Sequence, residues 1–271
     1  MWYNNYIETS FPKGDFNMKV LFLGDVVGSA SCDYLRTAIP RFKKENAVDA
    51  VIVNGENSAE GNGMLPFSVN HIFSSGADVI TSGNHALRRK EIFKTLETTP
   101  ALIRPANYHS SAPGNGFYIL DKVRFKLCVI NLQGRVYMDT YGNPFDVVDE
   151  ILKKVDTKNI IVDFHAEATA EKIALGRYLD GRVSAVIGTH THVQTNDARV
   201  FPGGTAYITD AGMCGGSDSI LGVKAELSIK KFRTGLPVRF ENDKDNIAAE
   251  GVLIEINEKT GKALSIETVY I

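Results

Sequence analysis

Short apolar runs recur along the chain and alternate with charged, amphipathic stretches. The runs are KVLFLGD at 19–25, DAVIVNG at 49–55, DVITSGN at 78–84, FKLCVINL at 125–132, NIIVDFH at 159–165 and VSAVIGTH at 183–190. Their length and their richness in Val and Ile predict buried strands, whereas RRKEIFKTLE at 88–97 and EKIALGRYLD at 171–180 predict helices. Strands alternating with helices define an α/β protein. GTAYITD at 204–210 adds another strand, and the terminal GVLIEINEKTGKALSIETVYI holds two alternating runs around EKTG, which predicts a hairpin turning at Lys259 to Gly261. Antiparallel strands therefore join the sheet system, and a purely parallel barrel is excluded. Pro40, inside the first helical stretch, is expected to end or kink that helix.

Composition adds bounds. A chain of 271 residues, 44% hydrophobic and 23% charged, has enough apolar side chain for one continuous core, read here as a single domain over 18–271. The leading residues 1–17, MWYNNYIETSFPKGDFN, are polar and aromatic without periodicity and lack the basic start and apolar centre of a signal peptide. They are read as a poorly ordered N-terminal extension. No apolar run approaches the roughly 20 residues that cross a bilayer. A net charge of -2 gives no global attraction to nucleic acid or to an anionic membrane, so phosphate must be bound locally. Cys32, Cys128 and Cys214 are widely spaced and odd in number, which fits reduced thiols and a cytoplasmic location better than a disulfide framework or a thiolate metal site.

The chemistry lies where the apolar runs stop. Their C-terminal edges carry Asp25, then Glu56-Asn57, Asn84-His85, His165, and His190 with His192. In open α/β sheets ligands gather outside the carboxyl ends of strands, so these side chains are expected to converge. Singly, each has a plainer role, since Asp and Asn after a strand are commonly turn or N-cap residues and a lone histidine is commonly a satisfied one. Four of the six histidines follow such strands, however, and that concentration weighs against the plainer reading. Imidazoles, carboxylates and amides without thiolates suit Fe, Mn or Zn. Seven ligands are too many for one catalytic ion with an open position and suit two ions sharing a carboxylate, with Glu56 the natural bridge. His190 and His192, at i and i+2, would point the same way on an extended segment, so aiming each at its own ion requires loop geometry. Gly83 allows close packing there. His85 could be a further ligand and is preferred as general acid, its ordinary pKa of about 6.5 suiting proton transfer near neutrality.

The blocks GDVVG at 24–28, NGEN at 54–57, GNH at 83–85, DFHAEAT at 163–169 and GTHTHVQTNDA at 188–198 resemble the calcineurin-like metallophosphoesterases, and more narrowly a bacterial branch that hydrolyses 2′,3′-cyclic nucleotides. The resemblance runs from about Met18 to the C-terminus. It implies a four-layer α-β-β-α sandwich with two ions, iron or manganese in its place. The first would take Asp25, Asn57 and His192, the second Asn84, His165 and His190. Glu56 would bridge them, a hydroxide held between the ions would attack phosphorus, and His85 would stand beside the scissile bond. Asp25-Val26-Val27 lacks the His of the wider superfamily's Asp-x-His, and Glu56 stands where that superfamily has a bridging Asp; both mark the narrower branch. That branch usually has Trp-Asp soon after GNH, whereas this chain has Ala86-Leu87-Arg88, which bears on substrate contacts.

The run Arg88-Arg89-Lys90 reads as a solvated first helical turn, but positive charge is unfavourable at a helix N-terminus, which gives Arg88 or Arg89 a second reading as a phosphate contact. The expected partner is a nucleotide phosphoester, free or at an RNA end, with no membrane; a homo-oligomer stays open. Two rival functions use the same residues. One is a phosphomonoesterase or nucleotidase, and the other is a non-enzymatic sensor of cyclic nucleotides or RNA, which would need neither a full ligand set nor an acid.

Overall fold

The apolar runs become strands because both of their faces are covered. A computed structural model describes residues 17–271. In chain order it contains β1 (Asn17–Leu23), β2 (Asp25–Val26), α1 (Gly28–Asn46), β3 (Ala50–Asn54), α2 (Pro66–Ser74), β4 (Val79–Thr81), a 3₁₀ turn at Lys90–Ile92, α3 (Phe93–Thr98), β5 (Phe117–Asp121), β6 (Lys126–Gln133) and α4 (Pro144–Leu152). There follow β7 (Ile160–His165), α5 (Thr169–Tyr178), β8 (Ala185–Thr189), β9 (Arg199–Val200), β10 (Ala206–Ile208), β11 (Met213–Gly216), α6 (Ala225–Thr234), β12 (Ile247–Asn257) and β13 (Ala263–Tyr270). They form a seven-stranded sheet in the order β2-β11-β12-β1-β3-β4, with β13 on β12, and a six-stranded sheet in the order β5-β6-β7-β8-β10-β9.

The layering follows from strand alternation. Val20 and Phe22 of β1 face the space between the sheets, where they meet Leu127, Val129, Ile161 and Ile187 of the second sheet in one cluster. Leu21 and Leu23 face the other way, into a cluster with Leu35 and Ile39 of α1 and Val69 and Ile72 of α2. Behind the second sheet, Ile130, Val162 and Val186 pack with Val148 and Ile151 of α4 and Leu175 of α5. The result is the four-layer α-β-β-α sandwich, in which nearly every central strand residue is buried. Truncating Phe22, which is fully buried, to Ala is worth about 3–5 kcal/mol.

Several local expectations are corrected. α1 does not end at Pro40 but runs to Asn46. Pro40 and Arg36 both lie on the exposed face, so the Arg36 carbonyl that proline leaves unpaired is open to solvent. The helix expected over 88–97 begins only at Phe93, after the 3₁₀ turn. The strand expected to reach Asn84 stops at Thr81, where Ser82 turns out of the sheet by donating its N–H to Asn131 Oδ1 at 3.0 Å. The terminal hairpin is present, with Gly261 at φ 74° and Asn257 Oδ1 accepting from Thr260 in the turn. The expected N-terminal extension lies outside the described residues, except that Asn17 opens β1.

One backbone feature prepares the site. At Gly24 the chain leaves β12, to whose Glu250 carbonyl it donates at 3.0 Å, and Asp25 N–H goes instead to Gly212 O at 3.1 Å. A Cβ at residue 24 would collide with the Gly212 carbonyl, so glycine is required at this crossover. The switch from β12 to β11 aims Asp25 past the end of the sheet.

Candidate active site

Five donors come from the first sheet and three from the second. Asp25 lies on β2, Glu56 and Asn57 follow β3, and Asn84 and His85 follow β4; His165 ends β7, and His190 and His192 follow β8. All eight meet at the carboxyl edge of the central strands. Glu56 Oε2 lies 3.2 Å from His165 Nε2, and Asn84 Oδ1 lies 2.9 Å from that same nitrogen. His190 Nδ1 is 3.1 Å from it as well. On the other side, Glu56 Oε1 accepts from Asn57 Nδ2 at 3.0 Å, and Asn57 Nδ2 is 3.4 Å from His192 Nε2. Asp25 Oδ1 stands 3.8 Å from both His192 Nε2 and His165 Nδ1. The donors thus fall into two groups joined by the two oxygens of Glu56.

The outer nitrogen of each imidazole is occupied. Thr189 Oγ1 donates to Asp163 Oδ1 at 2.7 Å, so its oxygen accepts from His165 Nδ1 at 3.0 Å. His192 Nδ1 donates to Leu221 O at 3.2 Å, and His190 Nε2 reaches Glu167 Oε2 at 3.0 Å. Each ring is thereby fixed in the tautomer whose lone pair points inward. Inward lone pairs on His165 and His190 only 3.1 Å apart call for a positive charge between them.

The backbone and the carboxylates agree. His190 and His192 have φ of 103° and 63°, a conformation costly for side-chain-bearing residues, and this is how residues two apart are aimed differently. Asp210 holds the turn: Oδ2 accepts from Thr191 N–H at 3.0 Å and Thr191 Oγ1 at 2.8 Å, and pairs with buried Lys172 Nζ at 2.7 Å. Buried Asp25 Oδ1 has no hydrogen-bond donor. A Cβ at Gly83 would fill the space between His165 Nε2 and Glu56 Oε2.

Burial raises the Asp25 pKa. Burial also opposes ionisation of Glu56, but His165 and His85 outweigh it and hold that carboxyl well below the usual range. Burial likewise opposes charge on His165, yet Glu56 and Asp25 pull it up to about 9, a proton doing the work of a cation. Next to it, burial and the charge of His165 push His190 down to about 3. Glu56, His165 and His190 present ligand atoms all within 4.8 Å of one another. A buried carboxylate oxygen without a donor, three inward lone pairs and no thiolate fit hard to borderline metal ions.

His85 sits at the mouth. Its N–H donates to Glu56 Oε2 at 3.2 Å, and Nδ1 lies 3.1 Å from Glu56 Oε1 and 3.0 Å from Asn57 Oδ1. Flanked by two acceptor oxygens, Nδ1 carries a proton, and Nε2 is left for the cleft that His85 lines. Arg88 is exposed and does not line that cleft. Arg89 is spent on the Glu60 and Asn62 carbonyls. His71, beside Asp33, and His109, bonded to Ser111, make no contact with the cluster.

Sequence reasoning missed the supporting layer. Asp163 Oδ2 accepts from Thr81 Oγ1 at 2.5 Å and Asn54 Nδ2 at 3.0 Å, tying β7 to β4 and β3 across the two sheets. Burial pushes Asp163 up to about 7. The available signal was a polar residue inside an apolar run: Asn54, Thr81, Asp163 and Thr189 all break strands that otherwise read as core.

A two-sheet sandwich with an imidazole, carboxylate and amide cluster at one edge defines a metallophosphoesterase, an enzyme class whose centre holds metal ions. The chain belongs to the YmdB-like protein family, whose model matches residues 21–269. It is 47% identical to the 2′,3′-cyclic-nucleotide 2′-phosphodiesterase of Bacillus subtilis over 94% of this chain and 97% of that protein. A crystal structure described as a novel phosphatase from Mycoplasma pneumoniae superposes with a TM-score of 0.88 at 36% identity, covering 94% of this chain and 93% of that one. The fold extends to a Staphylococcus aureus putative 5′-nucleotidase at TM-score 0.53 and 16% identity, covering 93% of this chain and 54% of the other. Among the described residues no helix is long and apolar enough to cross a membrane.

Proposed function

We propose that this chain is a phosphodiesterase with two metal ions, iron or manganese, that opens 2′,3′-cyclic nucleotides. The observation that carries the proposal is the inward orientation of three imidazoles in two groups on either side of Glu56. Asp25, Asn57 and His192 would hold one ion, Asn84, His165 and His190 the other, with Glu56 between. When bound, the ions supply Lewis acidity at the phosphoryl oxygens and lower the pKa of a water.

The chain's own contribution is orientation and one proton. The Nδ1 contacts with Glu56 and Asn57 fix the His85 ring, so Nε2, once protonated from solvent, gives that proton to the leaving ribose oxygen as the P–O bond breaks, while the hydroxyl of water joins phosphorus and the other proton of that water returns to solvent. The product is a nucleoside monophosphate. Removing such an acid costs about 10²–10⁴-fold in rate.

Elemental analysis of anaerobically purified protein, paired with assays on 2′,3′-cyclic AMP, 3′,5′-cyclic AMP and AMP, tests the reading. Two ions per chain and fastest turnover of the 2′,3′-cyclic ester are expected. Faster turnover of AMP would make it a nucleotidase, and fully metal-loaded protein without turnover would favour a sensor. His85→Ala should keep its metal and lose turnover.

A further inference from the structure

Beside the cluster, and continuous with it through His85 and His192, lies a cleft of about 290 Å³. Its walls differ from those of four other cavities among the described residues, each of which includes charged side chains. An adjoining cavity, which shares Gly61, Phe240 and Asn242 with the cleft, is lined by Glu60, Lys224, Arg239 and Lys244, and another, beneath Gly203, by Lys158, Arg182 and Lys262. The cleft at the cluster has no Lys, Arg, Asp or Glu in its lining. It combines apolar Val223, Leu221 and Phe240 with the amides of Asn62 and Asn242.

The cleft's own walls offer a second phosphate no Lys or Arg counter-ion; those side chains line the adjoining cavity on the other side of Phe240 and Asn242. What its chemistry matches is a flat, neutral group with an apolar face and a hydrogen-bonding edge, which describes a nucleobase. Phe240 is half exposed, and its ring stacks on no other ring among the described residues. Asn242 Nδ2 is buried without an acceptor. Leu221 belongs to both sites: it lines the cleft, its carbonyl accepts from His192 Nδ1 at 3.2 Å, and its φ is 54°. A base seated there is therefore held at a fixed offset from the cluster.

We propose that this cleft is the nucleobase subsite, with the base stacked on Phe240 and its edge read by Asn62 and Asn242. The inference rests on the nucleotide phosphodiesterase reading and adds to it the residues that distinguish a nucleotide from any other cyclic phosphodiester. It also replaces Arg88 as the expected source of substrate contacts, since Arg88 stands outside the cleft.

The test compares 2′,3′-cyclic AMP with glycerol 1,2-cyclic phosphate, which keeps the five-membered phosphodiester and lacks a base. Stacking of a base on an aromatic ring corresponds to about 10-fold to 100-fold in affinity. In Phe240→Ala the ratio of kcat/KM for cyclic AMP to that for the glycerol ester should fall by that factor, mainly through KM, and Phe240→Trp should restore it. Turnover of both esters with an unmoved ratio in Phe240→Ala sinks the subsite alone. Wild-type turnover of neither ester sinks the phosphodiesterase reading and the subsite with it.

Discussion

Lys172→Met strips a buried ammonium from beside a buried carboxylate. Lys172 Nζ and Asp210 Oδ2 are 2.7 Å apart, with side chains 1% and 0% exposed. Removing one partner of such a pair costs about 3–5 kcal/mol, because the remaining charge is left uncompensated. Asp210 keeps donors from Thr191 N–H and Oγ1 on Oδ2 and from Gly212 N–H on Oδ1, which points to the lower end, about 3 kcal/mol. At about 2–4 °C per kcal/mol for a chain near this size, the thermal midpoint should fall by roughly 6–12 °C. The assay is thermal unfolding followed by circular dichroism at pH 7, in chelator so that bound metal does not mask the change. Asp210→Asn removes the opposite charge of the same pair, and the double variant should be less damaged than the sum of the two, by about 1–3 kcal/mol. A fall of less than 2 °C in Lys172→Met, or strict additivity in the double variant, would show that the pair does not act as described.

Three further outcomes are expected. Thr189→Val cuts the link from Asp163 to His165 Nδ1 while keeping the side-chain volume, and should weaken metal retention about 10–100-fold in a chelator competition; unchanged retention would count against the tautomer assignment. Gly83→Ala places a methyl between His165 Nε2 and Glu56 Oε2, so metal content in elemental analysis should drop below half while the far-UV spectrum stays native. Burial lifts the Cys32 and Cys128 thiols to about 12, against an ordinary value of about 8.5, so native protein should resist Ellman's reagent at pH 8 and react once unfolded. Because the folded values are the raised ones, that contribution to stability is complete below about pH 8.5. It falls at higher pH by about 1.4 kcal/mol per pH unit per thiol until the folded values are reached, which urea titrations at pH 8, 9 and 10 would register.

The strands were legible because burial on both faces leaves an unbroken apolar run, as in 49–55 and 159–165. The gathering of eight donors at one edge was legible because each closes such a run. What composition could not convey was orientation. The positive φ values of His190 and His192 answer the need for loop geometry, but nothing in Gly-Thr-His-Thr-His names Asp210, some twenty residues on, as the group that holds Thr191. Pro40 misled because its local penalty falls on a solvated face. The cleft over 221–242 was invisible for a related reason: Leu221, Phe240 and Asn242 lie in irregular segments with no periodicity, and only the bridges Ile220 to Val223 and Val223 to Asn242 bring them together.

The seam between the two sheets has a mechanical meaning. Five donors ride on one leaf of the sandwich and three on the other, and Asp163 already laces the leaves with hydrogen bonds from Thr81 and Asn54. A cation held between them, as proposed, would act as a clasp on a book, fixing the spacing and registry of the leaves at that edge. Neither leaf carries the full donor set, and the first leaf takes its strands from both ends of the chain, so the proposed chemistry depends on the whole chain closing the sandwich in register.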